Sequence, residues 1–399
     1  MRPALLAMLV LCLSSALAQG QGTFPLESKS ADVTRMPALQ MGMRYFPGQE
    51  AASQEPAGVP DAAAKTRGFF FLRLGDESRW AVYVPGDKPS LLVDTDGDRD
   101  LGDETPVEGK ASGNAIDFGA VSVTLKNGAS VGVQMRGVVR QTGAAPRYLL
   151  LTPGVYCTGT VKVAGKPLAL AVIDGTMNGR FNDTFDGTSS RNNADRLAID
   201  LNGDGTFALP RGTEGPFEVI PLAKYVELGK AFYHVTLEAD GSAVTFEKAE
   251  PGYGTLDIGV AGATMMAFSD YGMVSATSSA QGTFRLPAGR YAIARLTLAT
   301  TDDAGEAWQL TMTSPPKALA SFEIPAGQTE RVAIGPPLVA EVSLRQRDPQ
   351  VYLGLSLKGQ AGEVYVPGIM KGKRRLPPPT FTVLGEAGQT VYSGTFEYG

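Results

Sequence analysis

The stretch AIDFGAVSVTLKNGASVGVQMRGVV, residues 115–139, decides the fold class of this chain. Two β-rich runs flank Asn127-Gly128, a dipeptide that favours the tight turn of a β-hairpin. Similar short runs, such as GFFFLRLG at residues 68–75, recur along the chain between Gly, Pro and Asp residues. Because no segment keeps an apolar period of 3.6 residues, the sequence predicts an all-β protein. We expect antiparallel β-sandwiches and hairpins, with room for one short helix in VIPLAKYVELG, residues 219–229.

The 399 residues include 48 Gly and 27 Pro, a composition typical of a turn-rich globular protein with several domains. The expected domain boundaries lie where the composition of the sequence changes. The acidic loops described below, for example, end near residue 250. The predicted segments are a signal peptide (1–18), an extended N-terminal segment (19–65), a β-rich domain (66–250) and two β-sandwich modules (251–320 and 321–399).

The first 18 residues have the pattern of a secretory signal peptide. Arg2 precedes an apolar run, and Ala16-Leu17-Ala18 matches the small-residue pattern of a cleavage site. No later segment is apolar and long enough to cross a bilayer, so we expect no membrane span. The sequence therefore predicts an exported protein that resides in the periplasm, outside the cell or on its surface.

The chain lacks most of the side chains that His- or Cys-dependent catalysis requires. Without the signal peptide, Cys157 is the only cysteine, and His234 is the only histidine. Both lie in strand-like runs, so we expect them to be structural. A Ser-His-Asp triad and a His-rich zinc site are therefore not expected. The 36 basic and 41 acidic residues, without an extended basic segment, argue against nucleic acid as a partner.

Three loops repeat one spacing of oxygen-bearing side chains. We name them loop one (residues 94–105), loop two (174–185) and loop three (200–211). Each begins with an Asp after an apolar pair and has an apolar residue at its eighth position. The first, third and fifth residues are Asp94, Asp96 and Asp98 in loop one, Asp174, Thr176 and Asn178 in loop two, and Asp200, Asn202 and Asp204 in loop three. This is the oxygen-ligand spacing of EF-hand-type calcium loops.

The match to an EF-hand is partial, because the twelfth residue is never the Glu that such loops use as their last ligand. The acids available for closure are Asp103 or Glu104 in loop one, Asp183 or Asp186 in loop two, and Glu214 in loop three. Arg99, at the sixth position of loop one, needs a positive φ that favours Gly. The predicted ligands of one to three Ca²⁺ ions are Asp94, Asp96, Asp98, Asp100, Glu104, Asp174, Asn178, Asp183, Asp200, Asn202, Asp204, Thr206 and Glu214. Loops two and three are close enough in sequence to share a cluster. The alternative is Asx-rich turns that bind no ion.

The loops resemble the calcium loops of dockerin-type and thrombospondin-type repeats, set here between strands. The wider stretch from Ile173 to Ala239, with DRLAIDLNGDGTF at residues 195–207, is similar to a class of exported bacterial proteins with embedded calcium-type loops and C-terminal β-sandwiches. The segment GTFRLPAGRYAIARL, residues 282–296, resembles the transthyretin-like repeats of carboxypeptidase regulatory domains. These resemblances imply calcium binding and sandwich modules that scaffold or bind.

The leading hypothesis is an exported, non-enzymatic, calcium-binding β protein that acts as a scaffold or binds an unidentified protein or glycan. A second hypothesis is a polysaccharide-binding or polysaccharide-active protein of the cell envelope, with Trp80, Trp308 and the 13 Tyr residues as sugar-stacking surfaces. Glycoside hydrolysis needs two acids across a cleft, whereas the acids here cluster in the loops. A third hypothesis is a peptide-binding or protease-inhibitor-like sandwich.

Overall fold

The computed structural model describes ten ranges of the chain, and the predicted all-β fold is confirmed within them. The ranges are residues 22–31, 38–39, 43–48, 56–64, 68–139, 145–163, 165–188, 193–209, 217–365 and 369–397. The predicted signal peptide and Glu214 lie outside these ranges. No helix in them is long and apolar enough to cross a bilayer.

The described residues between 22 and 249 form one four-residue helix and a series of short strands. In chain order the elements are β1 (Gly22–Pro25), β2 (Glu27–Ser30), β3 (Arg44–Pro47), α1 (Asp61–Ala64), β4 (Phe69–Leu74), β5 (Glu77–Val84), β6 (Ser90–Val93), β7 (Val107–Glu108), β8 (Lys110–Ser112), β9 (Ala115–Thr124), β10 (Ser130–Val138), β11 (Tyr148–Pro153), β12 (Val155–Val163), β13 (Lys166–Ile173), β14 (Arg196–Ile199), β15 (Val219–Pro221), β16 (Tyr225–Leu228), β17 (Ala231–Leu237) and β18 (Ala243–Ala249).

These strands form four antiparallel sheets that pack as two sandwiches. The sheet β4-β5-β6-β7 packs on β8-β9-β10-β11-β3, and their facing side chains share one core that runs from Phe70 to Met177. The sheet β2-β12-β13-β14-β15 packs on β16-β17-β18-β1 around a second core. Strands β1, β2 and β3 come from the segment expected to be extended, and each occupies the edge of a different sheet.

The hairpin that indicated the fold class is present. Strands β9 and β10 pair from Thr124↔Ser130 onward, and the N–H of Gly128 donates to the carbonyl of Leu125 at 2.8 Å. Gly128 has a φ of 81°, which its missing side chain permits. The short helix expected in residues 219–229 is wrong, because this stretch forms strands β15 and β16. Backbone pairing with β14 and β17 stabilises the extended conformation there.

The remaining described residues form a third unit and two C-terminal hairpins. The elements are β19 (Tyr253–Asp257), β20 (Thr264–Ser269), β21 (Gly272–Thr277), β22 (Thr283–Pro287), β23 (Gly289–Thr301), β24 (Ala307–Thr311), α2 (Lys317–Ala320), β25 (Phe322–Ile324), β26 (Thr329–Arg331), β27 (Val339–Arg347), β28 (Gln350–Lys358), β29 (Ile369–Lys371), β30 (Arg374–Arg375), β31 (Thr380–Leu384) and β32 (Thr390–Thr395).

One core joins the two predicted C-terminal modules. Strands β25 and β29 pair with β23 and β24, and β26 runs parallel to β19. Buried side chains from Leu256 to Ile369 form a continuous cluster. The sheets therefore cross the predicted boundary between residues 320 and 321. The hairpins β27–β28 and β31–β32 are separate two-stranded sheets.

Candidate metal sites

Each acidic loop begins at the end of a buried strand. Loop one follows β6, loop two follows β13 and loop three follows β14. The first Asp of each loop is buried, with an exposed fraction of 1% for Asp94 and 5% for both Asp174 and Asp200. The core residue before each Asp fixes the strand, so the carboxylate is held below the surface. A buried carboxylate is costly unless a hydrogen bond or a cation compensates its charge.

Loops two and three do not share a cluster. Strands β13 and β14 are antiparallel, with Ile173 opposite Arg196 and Leu170 opposite Ile199. The carboxyl ends of two antiparallel strands lie at opposite ends of the pair. The two loops therefore lie at opposite ends of the four-residue ladder between β13 and β14, and each is an independent site.

Loop one brings three carboxylates together. Asp94, Asp96 and Asp98 each place a carboxylate oxygen within 4.8 Å of the others. The Oδ1 atom of Asp94 accepts a hydrogen bond from the N–H of Gly97 at 2.8 Å. Its Oδ2 atom is buried and makes no hydrogen bond to the described residues. Three negative charges at this spacing repel one another, and a bound cation would convert that repulsion into attraction.

A buried arginine lies beside loop one without neutralising Asp94. The guanidinium of Arg79 packs so closely on Gly97 that a Cβ atom there would lie 2.8 Å from Cζ. Its Nη2 atom donates to Glu77 at 2.7 Å and to the carbonyl of Thr124 at 2.9 Å. The Nη2 atom of Arg79 is therefore paired with Glu77. Its Nε atom, like the Oδ2 atom of Asp94, is buried without a hydrogen-bond partner among the described residues.

Two backbone hydrogen bonds hold loop one at the residue that departs most from the EF-hand pattern. Arg99 has a φ of 71°, so the strain expected from the sequence is present. The N–H of Ala57 donates to the carbonyl of Arg99, and the N–H of Leu101 donates to the carbonyl of Ala57, both at 2.9 Å. Asp100 turns toward the N–H of Gly102, at 2.8 Å. These two hydrogen bonds to Ala57 thus stabilise the strained turn.

In all three loops a further carboxylate accepts a hydrogen bond from the N–H of the second loop residue. These pairs are Glu104 with Thr95, Asp195 with Gly175 at 3.0 Å, and Glu218 with Leu201 at 3.1 Å. In each loop this acid lies shortly before a strand that pairs antiparallel with the strand leading into the loop. That strand is β7 for Glu104, β14 for Asp195 and β15 for Glu218. The same arrangement, a loop and an acid that precedes the neighbouring strand, therefore occurs three times.

Asp195 and Glu218 were missed by reasoning from the sequence, which considered only Asp103, Glu104, Asp183, Asp186 and Glu214 as closing acids. The signal that could have found them is an acid directly before the neighbouring antiparallel strand, in DRLAI (residues 195–199) and EVIP (residues 218–221). Glu104 occupies the equivalent position in loop one. Asp186 instead accepts hydrogen bonds from Thr188 and Asn193, each at 2.8 Å.

Loop two wraps around Asp174. Its two carboxylate oxygens accept the N–H groups of Asn178 at 3.2 Å and Gly179 at 2.8 Å. Asp183 reaches back into the turn, where one of its oxygens accepts from the Thr176 hydroxyl at 2.6 Å and from the Asn178 amide at 2.7 Å. The loop opens onto a polar cavity of about 800 Å³ that Thr176, Asn178 and Asp183 help to line. This cavity gives a small cation access to the loop.

The electrostatics of loop two favour a cation or protons. Burial raises the pKa of Asp174 to about 6, although hydrogen bonds from Gly179 and Asn178 oppose the shift. Burial also raises the pKa of Asp195, and the charges of Asp174 and Asp183 raise it further. Arg44 lies close enough to Asp174 and Asp195 for their charges to act on it, and it donates to the carbonyl of Gly175 at 3.0 Å.

Loop three has the most regular turn. Asp200 accepts the N–H groups of Gly203 at 2.7 Å and Gly205 at 2.8 Å with its two oxygens. Asn202 accepts from the N–H of Asp204, which in turn accepts from the N–H of Thr206, both at 2.8 Å. The predicted ligands of this loop therefore lie on one tight turn. Glu214, the predicted closing acid, lies outside the described residues.

Glu218 is expected to stabilise loop three in the absence of metal. It is buried, and its second oxygen accepts from the N–H of Ala208 at 2.7 Å. Glu218→Gln keeps one acceptor but places an amide N–H₂ against a backbone donor, so it should lower the free energy of unfolding by about 1–3 kcal/mol. Urea denaturation in chelator measures the loss. The control Glu250→Gln, at a side chain with 87% exposure, should change stability by less than about 0.5 kcal/mol; equal effects of the two variants would contradict the role of Glu218.

The two tryptophans considered for sugar stacking make contacts within the fold. Trp80 is buried and packs edge-on against Phe69 and Phe71. The indole N–H of Trp308 donates to Asp302 at 2.9 Å, and the ammonium of Lys371 lies 5.2 Å from a ring centroid of the indole. These contacts favour structural roles for both tryptophans.

The chain matches no protein-family model, no curated protein and no solved structure. The function must therefore be argued from the geometry of the loops.

Proposed function

We propose that this protein is an exported, calcium-stabilised β-sandwich protein that acts as a non-enzymatic scaffold or binding module. The observation that carries the calcium assignment is the buried Oδ2 atom of Asp94, which has no hydrogen-bond partner among the described residues and belongs to a cluster of three carboxylates. A cation bound in that position would compensate the charge of this buried acceptor.

Calcium fits the donor set better than other biological cations. The three loops offer carboxylate, amide, hydroxyl and carbonyl oxygens, which are hard ligands that suit Ca²⁺. Their turns leave room for several ligands of differing reach, whereas Mg²⁺ demands near-ideal octahedral geometry. Loop one has the strongest support, and loops two and three are supported by the hydrogen bonding that they share with it at the second loop residue.

The non-enzymatic part of the proposal rests on the inert environment of the residues that could serve as nucleophiles or bases. Cys157 is buried, and burial raises the pKa of its thiol to about 11, so the reactive thiolate is disfavoured. The acids of the loops accept backbone hydrogen bonds that build the turns themselves. These groups are committed to structure, which favours a scaffold or binding role.

Calcium titration of metal-free protein tests the proposal. Wild-type protein should bind at least one Ca²⁺ with a dissociation constant of about 10⁻⁷–10⁻³ M, the range of sensor and extracellular sites. Asp94→Asn should lose the loop-one site, because it removes one of three clustered charges while keeping the acceptor for Gly97. Isothermal titration calorimetry counts the sites. In chelator this variant should remain folded, since an amide relieves the repulsion between the carboxylates.

Asp87→Asn is the matched control, because Asp87 is an exposed acid in the turn just before β6. It should bind calcium as the wild type does. No binding by the wild-type protein, or equal site counts in Asp94→Asn and wild type, would remove the basis of the calcium assignment.

A further inference from the structure

The two C-terminal hairpins carry most of the exposed apolar surface of the described residues. Nine of the twelve large apolar side chains that are exposed there lie on β27–β28 and β31–β32. On one face of the first hairpin, Val342 and Leu344 lie opposite Leu355 and Leu353. Val342 and Leu344 are 60% and 66% exposed. An exposed apolar face of this kind marks an interaction surface.

The outer edge of β27 is open in the described part of the chain. There, β27 forms backbone ladder hydrogen bonds with β28 alone. The far edge of β28 is partly covered, because the N–H of Tyr365 donates to the carbonyl of Leu357 and Val364 bridges to Lys358. A long strand with an unpaired edge is a template for another strand. The open edge of β27 is thus where an additional strand would pair.

We infer that β27 pairs with β27 of a second copy of this chain, antiparallel about a two-fold axis at Ser343. Antiparallel pairing of identical strands satisfies two-fold symmetry, because each contact between two residues then occurs twice, once on each side of the axis. Only Ser343, on the axis, faces its own equivalent. In this register Glu341 lies opposite Arg345 of the second copy, and the pair occurs twice. Val342 then lies opposite Leu344 of the second copy on the apolar face, also twice. The product is a four-stranded sheet that spans both copies.

Charge and polarity select this register over its neighbours. With the axis at Val342, Arg345 of the second copy would lie opposite Val339, and Glu341 would lie opposite Ser343. With the axis at Leu344, the apolar Val342 would lie opposite Gln346. With the axis at Leu344, Glu341 would still lie opposite an arginine, Arg347. Only the axis at Ser343, among these three, sets opposite charges against each other and also gives both Val342 and Leu344 an apolar partner. The two-fold axis also places the most exposed residues of the apolar face next to one another.

Disulfide crosslinking tests the position of the axis. In Ser343→Cys the new thiol faces its own equivalent, and directly opposed residues of antiparallel strands have Cα atoms about 4.5–5.5 Å apart, within reach of a disulfide. Oxidation should therefore give a covalent dimer on a non-reducing gel. Val339→Cys is the matched control on the same face of the same strand. Its two copies would be eight residues out of register, about 26 Å apart, and should not crosslink. Oxidation of the wild-type chain measures any crosslinking through Cys12 and Cys157.

Charge reversal tests the register independently of disulfide chemistry. Sedimentation over a wide concentration range should show wild-type protein with twice the mass of one chain. Arg345→Glu sets two glutamates against each other at both pairs and should raise the dimer dissociation constant roughly tenfold or more. The double variant Glu341→Arg/Arg345→Glu restores opposite charges and should restore the dimer. Circular dichroism confirms that each variant is folded.

Three results would overturn the inference. The first is a monomer at all concentrations. The second is a dimer that persists unchanged in Arg345→Glu and does not crosslink through Ser343→Cys, since its interface would lie elsewhere. The third is a monomer that sediments with phosphatidylcholine vesicles, which would assign the apolar face to lipid. None of these results depends on calcium, so the proposed function is tested separately.

Discussion

Removal of calcium is expected to lower the melting temperature of the unit formed by residues 22–249 by about 10 °C. A ligand that binds only the folded state at a thousandfold its dissociation constant adds about 4 kcal/mol of stability per site. For a unit of this size, each kcal/mol corresponds to about 2–4 °C. Differential scanning calorimetry with excess Ca²⁺ and with chelator measures the shift. More than one occupied loop would enlarge it.

The double variant Asp94→Asn/Asp200→Asn supplies the control for specific loss of calcium. It removes the first ligand from loops one and three, and its melting temperature should depend much less on calcium than that of the wild type. Asp303→Asn, an exposed acid in the turn between β23 and β24, should leave the calcium dependence intact. Superimposable wild-type melting curves in calcium and chelator would show that the loops are Asx-rich turns that need no ion.

The sequence predicts this fold class well because hairpin signals are local. Asn127-Gly128 determines the turn between β9 and β10 with no help from distant residues. The edge strands could not be predicted from the sequence, because they depend on pairing with distant residues. Strand β1 is held by pairing with β18, where Gly22 lies opposite Phe246, and no local pattern in its four residues specifies that partner. The expected helix at residues 219–229 is wrong for the same reason, since the strands there are stabilised by neighbours in the sheets.

The loops show the same division between local and distant information. The first, third and fifth residues are set by one short turn, so their spacing was readable in the sequence, as in Asp200, Asn202 and Asp204. The further carboxylate, which accepts a hydrogen bond from the N–H of the second loop residue, is set by strand register. Asp195 reaches Gly175 only because β13 and β14 pair antiparallel, and Glu218 reaches Leu201 only because β15 pairs with β14. The spacing of side chains along the chain could not find either acid, because only strand pairing brings each acid to its loop.

The buried acids of loop two should give metal-free protein an unusual pH dependence. In the unfolded chain the pKa of Asp174 returns to about 3.9, whereas in the folded protein burial holds it at about 6. Between these values the folded state binds more protons, so this group makes the protein less stable as pH rises from about 4 to about 7. A shift of this size corresponds to about 3 kcal/mol for Asp174. Asp195, whose pKa is also raised, acts in the same direction.

Urea denaturation of metal-free wild type and Asp174→Asn across this pH range isolates the effect. The stability of the wild type relative to Asp174→Asn should fall as pH rises, because only the wild type must ionise Asp174, whose charge also raises the pKa of Asp195. Asp186→Asn is a control variant for which the opposite pH dependence is expected. Hydrogen bonds from Thr188 and Asn193 lower the pKa of Asp186, so its stabilising contribution is present at neutral pH and is lost in acid. A difference between wild type and Asp174→Asn that does not vary with pH would contradict the raised pKa.

Calcium should reverse the pH dependence of loop two. Carboxylates must be ionised to bind a cation, so calcium affinity rises with pH across the range in which metal-free stability falls. The wild-type protein in excess Ca²⁺ should therefore become more stable relative to Asp174→Asn as pH increases from about 4 to about 7. The same urea experiment, repeated in calcium, measures this change of sign. If calcium left the slope unchanged, loop two would be a buried acidic turn that does not bind the ion, and calcium binding would be confined to the other two loops.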